Sequence, residues 1–219
     1  MIVLWAPYRI LSAINTPVLR VGRWLAGAAL AIMVVVILAQ VVFRYVVGSA
    51  LAWPDEAARF FMLWMTGLIA PSAYRWGGFV AIDMVPMALP RLVGQIVTLV
   101  LLALALLVLV TAVPYGLRHV TSGCLFTSSS LWLPFSFHFS LPIPLTEKAL
   151  TLCTKEPLTI GITMGWAKVP LAAMYASLLW GIYVMISVNI ELILRNLIML
   201  FDREADLQTD PEMIAAGAD

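Results

Sequence analysis

Charged side chains are scarce in this sequence: 11% of its 219 residues are Asp, Glu, Lys or Arg, while 63% are apolar. A soluble domain is about half apolar and about a quarter charged, so a globule solvated only by water is excluded. The mean hydropathy of +0.99 agrees. A formal net charge of +1 argues against nucleic acid and against a strongly acidic partner. Histidine is rarer still. His119 and His138 are the two present, and neither lies in a long apolar run. A membrane haem, usually ligated by His at membrane depth, therefore has no ligand here. Zinc-type Cys/His spacing, a phosphate loop, a dinucleotide glycine motif and a nucleophile elbow are all lacking. Ser128-Ser129-Ser130 with His138 has no placed acid and reads as a polar loop. The residues imply neither an enzyme nor a cofactor.

What the sequence has is length of apolar chain. A bilayer core about 30 Å thick needs roughly 20 apolar residues at 1.5 Å rise each. Four stretches come near that length, at about 24–43, 57–74, 92–113 and 169–190. They predict an all-α integral membrane protein with four transmembrane helices forming one domain over 1–200. A long extracytoplasmic loop spans about 115–167, and an acidic, solvated tail spans 201–219. The fourth helix can continue through Glu191 and Arg195, an acid and a base at i, i+4, as suits a helix leaving the membrane. Before the first span, Leu4, Tyr8, Leu11, Ile14 and Val18 recur at helical spacing. They suit an N-terminal interfacial helix lying on the membrane, which Asn15, Thr16 and Pro17 would interrupt. The apolar run that follows is too long for the core of a cleaved secretory signal, so it reads as a retained helix.

Orientation is weakly written. With four spans, one side holds Arg9, Arg20, Arg23, Arg75, Arg91, Arg195 and Arg203. The other holds Arg44, Arg59, Arg118, Lys148, Lys155 and Lys168. Long loops count for little and the first helix usually dominates, so the three arginines before it place both termini in the cytoplasm. Both cysteines, Cys124 and Cys153, then fall in an outward loop in an oxidising compartment, where disulfides persist. A Cys124–Cys153 bond is expected.

The charges that exist crowd the turn between the first two spans. Phe43-Arg44-Tyr45 ends the first, and Trp53-Pro54-Asp55-Glu56-Ala57-Ala58-Arg59 opens the second. Proline suits the first helical turn, and acids suit the positive end of the helix dipole. Glu56 and Arg59, at i, i+3, share a face. Two arginines, two carboxylates and Trp53 in one short hairpin also fit a network that ties the helices together or meets a partner. Further on, Trp64 and Gly67 share a helix face, as packed membrane helices use. The segment Tyr74-Arg75-Trp76-Gly77-Gly78-Phe79-Val80-Ala81-Ile82-Asp83 reads locally as an interfacial turn.

In this order, Arg44-Tyr45, then Trp53, Asp55-Glu56 and Arg59, then Trp64, then Arg75, Gly77 and Ile82-Asp83 resemble the small membrane subunit of tripartite ATP-independent periplasmic (TRAP) transporters, the DctQ-type small permease. The resemblance covers roughly 20–115 and the fourth span, with Trp166 and Pro170 ahead of the last helix. The sequence departs from the family at Gly78-Phe79, where a His is common, and in a longer loop holding Trp132-Leu133-Pro134-Phe135 and Pro142-Ile143-Pro144. The resemblance implies a large permease subunit that carries substrate and coupling ion, usually sodium. It also implies a periplasmic substrate-binding protein, commonly for an organic acid, and membrane lipid as surroundings. This chain would be the fixed scaffold. Two other readings compete. An independent small carrier or channel would need polar groups lining a path, with Gln40, Thr66, Thr98, Ser177 and Asn189 the candidates. A membrane anchor for an enzyme complex would carry a visible haem or quinone.

Overall fold

The computed structural model describes residues 2–76, 90–141, 150–152 and 161–201. Gly77, Asp83, Cys153 and the tail from 202 lie outside the described residues. In chain order the elements are α1 (Ile2–Tyr45), α2 (Trp53–Arg75), α3 (Arg91–Gly123), β1 (Thr127–Leu141), β2 (Leu150–Leu152), β3 (Gly161–Pro170) and α4 (Leu171–Phe201). Three helical segments are long and apolar enough to cross a membrane: Trp5–Tyr45, Leu92–Gly123 and Leu171–Leu200. With 23 residues, α2 has the length, but Arg59, Trp64, Thr66, Pro71, Ser72 and Tyr74 dilute its apolar run.

Two expectations are corrected. The fold is mostly helical but not all-α. The expected loop over 115–167 begins with the last two turns of α3 and continues as a three-stranded antiparallel sheet in the order β2-β1-β3. β1 pairs with β3 from Thr127↔Pro170 to His138↔Gly161, with two register shifts, and with β2 from Phe139↔Leu152 to Leu141↔Leu150. The second correction is at the N-terminus. No separate interfacial helix precedes the first span, because α1 runs unbroken for 44 residues through Pro7 and Pro17. Pro17 removes one N–H from the ladder, but tertiary contacts hold the chain helical on either side. Asn15 and Leu19 are each 2% exposed; Asn15 Nδ2 donates to Glu191 at 2.7 Å, and the Leu19 carbonyl accepts from the Ser72 hydroxyl at 3.5 Å.

The chain divides into two compact units. One comprises Met1–Arg23, Ile69–Thr111 and Ile182–Asp219; the other comprises Trp24–Leu68 and Ala112–Gly181. Each helix contributes residues to both. In the first unit Leu19, Val184 and Val188 form a core with Val18, Tyr74 and Leu192 against it. In the second, Val120, Ala172 and Leu179 pack with Leu117, Cys124 and Tyr175. The turn from α1 to α2 reverses at Gly48, whose φ of 74° is the left-handed conformation that glycine adopts without a Cβ penalty. The start of α4 is fixed by its Leu171 N–H donating to the Phe126 carbonyl at 3.1 Å.

Candidate functional site

Polar side chains gather at one cluster in each unit. In the first unit the last residue of α2, Arg75, meets Glu191 of α4. Its Nη2 donates to Glu191 Oε1 at 2.8 Å, and the two side chains are only 7% and 4% exposed. Arg75 also donates to Thr16 Oγ1 at 3.1 Å and to Ser12 Oγ at 3.3 Å. The other carboxylate oxygen of Glu191 accepts from Asn15 Nδ2 at 2.7 Å, and Asn15 Oδ1 accepts from Ser187 at 2.7 Å. A buried ion pair is tolerable when the remaining donors and acceptors are also satisfied, and here Ser12, Asn15 and Thr16 of α1 do that for both ions. The expected Glu191–Arg195 partnership gives way to this one. Arg195 Nε is buried with no hydrogen-bond partner. Nearby, Asn189 is fully buried and its Nδ2 donates to the Tyr74 hydroxyl, while Asn189 Oδ1 has no partner. At the edge of this unit the Arg23 guanidinium stacks 4.5 Å above the Trp76 ring.

In the second unit the carboxylates of the α1–α2 hairpin find neutral donors. Asp55 Oδ1 accepts from Gln40 Nε2 at 3.0 Å, joining α2 to α1. Glu56 is held by the start of β1. Its Oε1 accepts from the Ser129 N–H at 3.1 Å and from the Ser129 hydroxyl. Its Oε2 accepts from the Ser128 hydroxyl and from the N–H groups of Ser130 and Leu131, at 3.1 and 3.2 Å. Ser130 Oγ adds a bond to the Ala52 carbonyl at 3.0 Å. The hydroxyls of Ser128 and Ser129, aided by Ser130, hold the Glu56 carboxyl well below the usual carboxylate range, against a smaller opposing push from desolvation. The serine run therefore opens a strand that ligates a carboxylate rather than forming a polar loop.

The remaining hairpin residues are not drawn in. Arg44 and Arg59 are exposed and make no ion pair among the described residues. Tyr45 is 78% exposed and Trp53 41%. Trp64 and Gly67 are placed against α4: Trp64 Nε1 donates to the Ala173 carbonyl at 3.2 Å. The carbonyl of Ser177 lies where a Cβ on Gly67 would sit, and the Gly67 carbonyl is 2.9 Å from the Cβ position of Gly181. Only a residue without a side chain allows that approach. Sequence reasoning missed Asn15 as a partner of Glu191, Ser187 as a partner of Asn15, and the serines as partners of Glu56. Asn15 lies far along the chain from Glu191, and the serines from Glu56, so no local spacing points to them.

Among the described residues no group of three or more His, Cys, Asp or Glu is placed to hold a metal ion. The His119 ring stacks on Tyr175 with centroids 4.0 Å apart. Neither the curated proteins nor the solved structures give a match. The family model described as tripartite ATP-independent periplasmic transporters, DctQ component, matches residues 33–198, about three quarters of the chain, from the C-terminal part of α1 through α2, α3 and the sheet to all but the end of α4. This chain belongs to the DctQ component family of tripartite ATP-independent periplasmic transporters.

Proposed function

We propose that this chain is the small, non-moving membrane subunit of such a transporter, crossing the bacterial inner membrane four times with both termini in the cytoplasm. The fourth crossing is the 57–74 stretch of the 23-residue α2, with Asp55 and Glu56 ahead of it at the membrane surface. The large permease subunit carries an organic acid and its coupling ion, sodium, and a periplasmic binding protein delivers the acid. Cys124 is not a free thiol, and it pairs with Cys153 on the periplasmic side. Arg75 and the hairpin residues Arg44, Tyr45, Trp53 and Arg59 serve structure and subunit contact.

One observation carries the scaffold reading over an independent carrier. Each of the five polar side chains available to line a path makes a hydrogen bond within the chain, Asn189 through its Nδ2 alone. Gln40 is bonded to Asp55, and Thr66 and Thr98 to the carbonyls of Met62 and Gly94 on their own helices. Ser177 is bonded to the Met174 carbonyl and Asn189 to Tyr74. The buried charge of Glu191 is neutralised by Arg75 in place, which suits a fixed element and not an ion relay. The test is purification in mild detergent of the tagged chain expressed with its native neighbours. A much larger polytopic protein recovered at a fixed ratio supports the reading. A stable, monodisperse chain recovered alone contradicts it.

A further inference from the structure

Two membrane-length helices meet at one turn. The apolar reach of α3 ends at Gly123 and that of α4 begins at Leu171. They touch there: a Cβ on Gly123 would lie 2.7 Å from the Ala172 nitrogen, and the Leu171 N–H donates to the Phe126 carbonyl. The 30 residues of Leu171–Leu200 rise about 45 Å, the thickness of a bilayer with its headgroup zones. The start of α4, and the turn bonded to it, therefore lie in a headgroup zone.

What the turn exposes suits that depth. Leu125 is 82% exposed and Phe126 64%. The turn's own backbone is already satisfied. The N–H groups of Cys124, Leu125 and Phe126 donate to the carbonyls of Thr121, Ser122 and Gly123, and the Phe126 carbonyl is taken by Leu171. Such a turn can enter an apolar layer without stranding a donor. Further along the sheet, Trp132 of β1 is paired with Lys168 of β3. Lys168 Nζ lies 5.4 Å from the centre of the Trp132 ring, and both residues are exposed. An indole with a lysine over it is the chemistry of the membrane–water boundary, where the ring sits among headgroups and the ammonium reaches phosphate. A protein partner fits less well. Among the described residues, Leu125, Phe126 and Trp132 offer on the order of 400 Å², against the roughly 800 Å² that each side of a specific protein interface gives.

We infer that the turn Gly123–Phe126 is a membrane anchor for the sheet. Leu125 and Phe126 enter the upper acyl layer of a phospholipid leaflet, and Trp132 and Lys168 hold the headgroups above them, Lys168 at a phosphate. The sheet is thereby rooted in the bilayer at the end where Thr127 pairs with Pro170. That this leaflet is the outer one rests on the proposed function; the insertion itself does not.

The test places an environment-sensitive fluorescent amino acid at Phe126 of the full chain. The protein, with whatever subunits co-purify, is reconstituted into vesicles of phosphatidylethanolamine and phosphatidylglycerol. Phospholipid spin-labelled just below the headgroup should quench the emission roughly twofold or more, and aqueous iodide should leave it nearly unchanged. Leu125→Asp should reverse both effects, because a carboxylate is expelled from the acyl layer. A detergent melting temperature equal to wild type attributes that reversal to lost insertion and not to unfolding. Where the fluorophore at Phe126 itself lowers the melting temperature, Leu125 carries it and Phe126→Asp is the paired variant. Strong iodide quenching without Leu125→Asp places the turn in water and overturns the inference. Shielding from both quenchers means that protein covers the turn, and overturns it as well. So does a Leu125→Asp chain with unaltered lipid quenching. Failure to recover a large permease subunit contradicts the proposed function and leaves the insertion standing.

Discussion

The two units hold their buried or half-buried acids by different chemistry. In the first, Glu191 is 4% exposed and is neutralised by a full positive charge, with Asn15 filling its second oxygen. In the second, Glu56 is partly exposed and takes only neutral donors, two hydroxyls and three backbone N–H groups of β1. Desolvation sets the difference. A carboxylate shut away from water needs a counter-charge, whereas one at a helix start that keeps some solvent can be held by dipoles alone. The consequence for packing differs as well. The first unit is locked by side chains from α1, α2 and α4 meeting at one ion pair. The second relies on backbone-to-backbone approach at Gly67 and Gly181, and on the Glu56–serine clasp about three helical turns away along α2.

This contrast ranks the substitutions that would break it. Arg75→Leu should be the most damaging, about 3–5 kcal/mol, because it strands a buried charge on Glu191. The double variant Arg75→Leu/Glu191→Leu should recover most of that loss in a detergent melting curve. A double variant no better than the single would mean that the pair's geometry matters more than its charge. Gly67→Ala comes next. The new methyl meets the Ser177 carbonyl, so α2 and α4 must separate locally, at about 1–3 kcal/mol. An unchanged melting temperature would show that the close approach is dispensable.

Ser128→Ala should cost on the order of 1 kcal/mol, as removal of one hydrogen bond to a charged group does. It should also bring the Glu56 titration back toward its ordinary value. The pH dependence has a definite sign. Glu56 titrates below its unfolded value near 4.5, so its contribution to stability is complete above that pH and is lost as pH falls below it. Glu56→Gln should remove that acid-side loss; a wild-type melting profile flat from pH 6 to pH 3 would contradict the clasp. The smallest effect belongs to Gln40→Ala, within about 0.5 kcal/mol, because the Gln40–Asp55 bond is exposed.

How much of this was legible in the sequence follows from the range of the signals. Hydropathy runs placed α1, α3 and α4, since a long apolar stretch declares itself residue by residue. The order of Arg44-Tyr45, Asp55-Glu56, Arg59 and Arg75 pointed to the family that the match over 33–198 shows. The sheet was not read, although Phe135-Ser136-Phe137-His138-Phe139-Ser140-Leu141 alternates apolar and polar at the period of a strand. In a chain this apolar, a window sized for membrane helices reads that alternation as loop. The unbroken α1 was hidden for the opposite reason. Pro17 is a strong local breaker, and the contacts that override it, through Asn15 and Leu19, come from residues more than fifty positions away. The Arg75–Glu191 pair, 116 residues apart, has no local trace, whereas the nearer Glu191–Arg195 spacing offered a plausible but wrong partner.

The central claim is that this chain is a fixed scaffold with no transport path of its own, and flux in liposomes tests it most directly. Vesicles holding the purified chain alone, loaded against a sodium gradient and supplied with an organic acid and its periplasmic binding protein, should show no uptake above empty vesicles. Vesicles that also hold the large permease subunit should accumulate the acid. Sodium-dependent uptake by this chain alone would contradict the account and turn Gln40, Thr66, Thr98, Ser177 and Asn189 into a pathway.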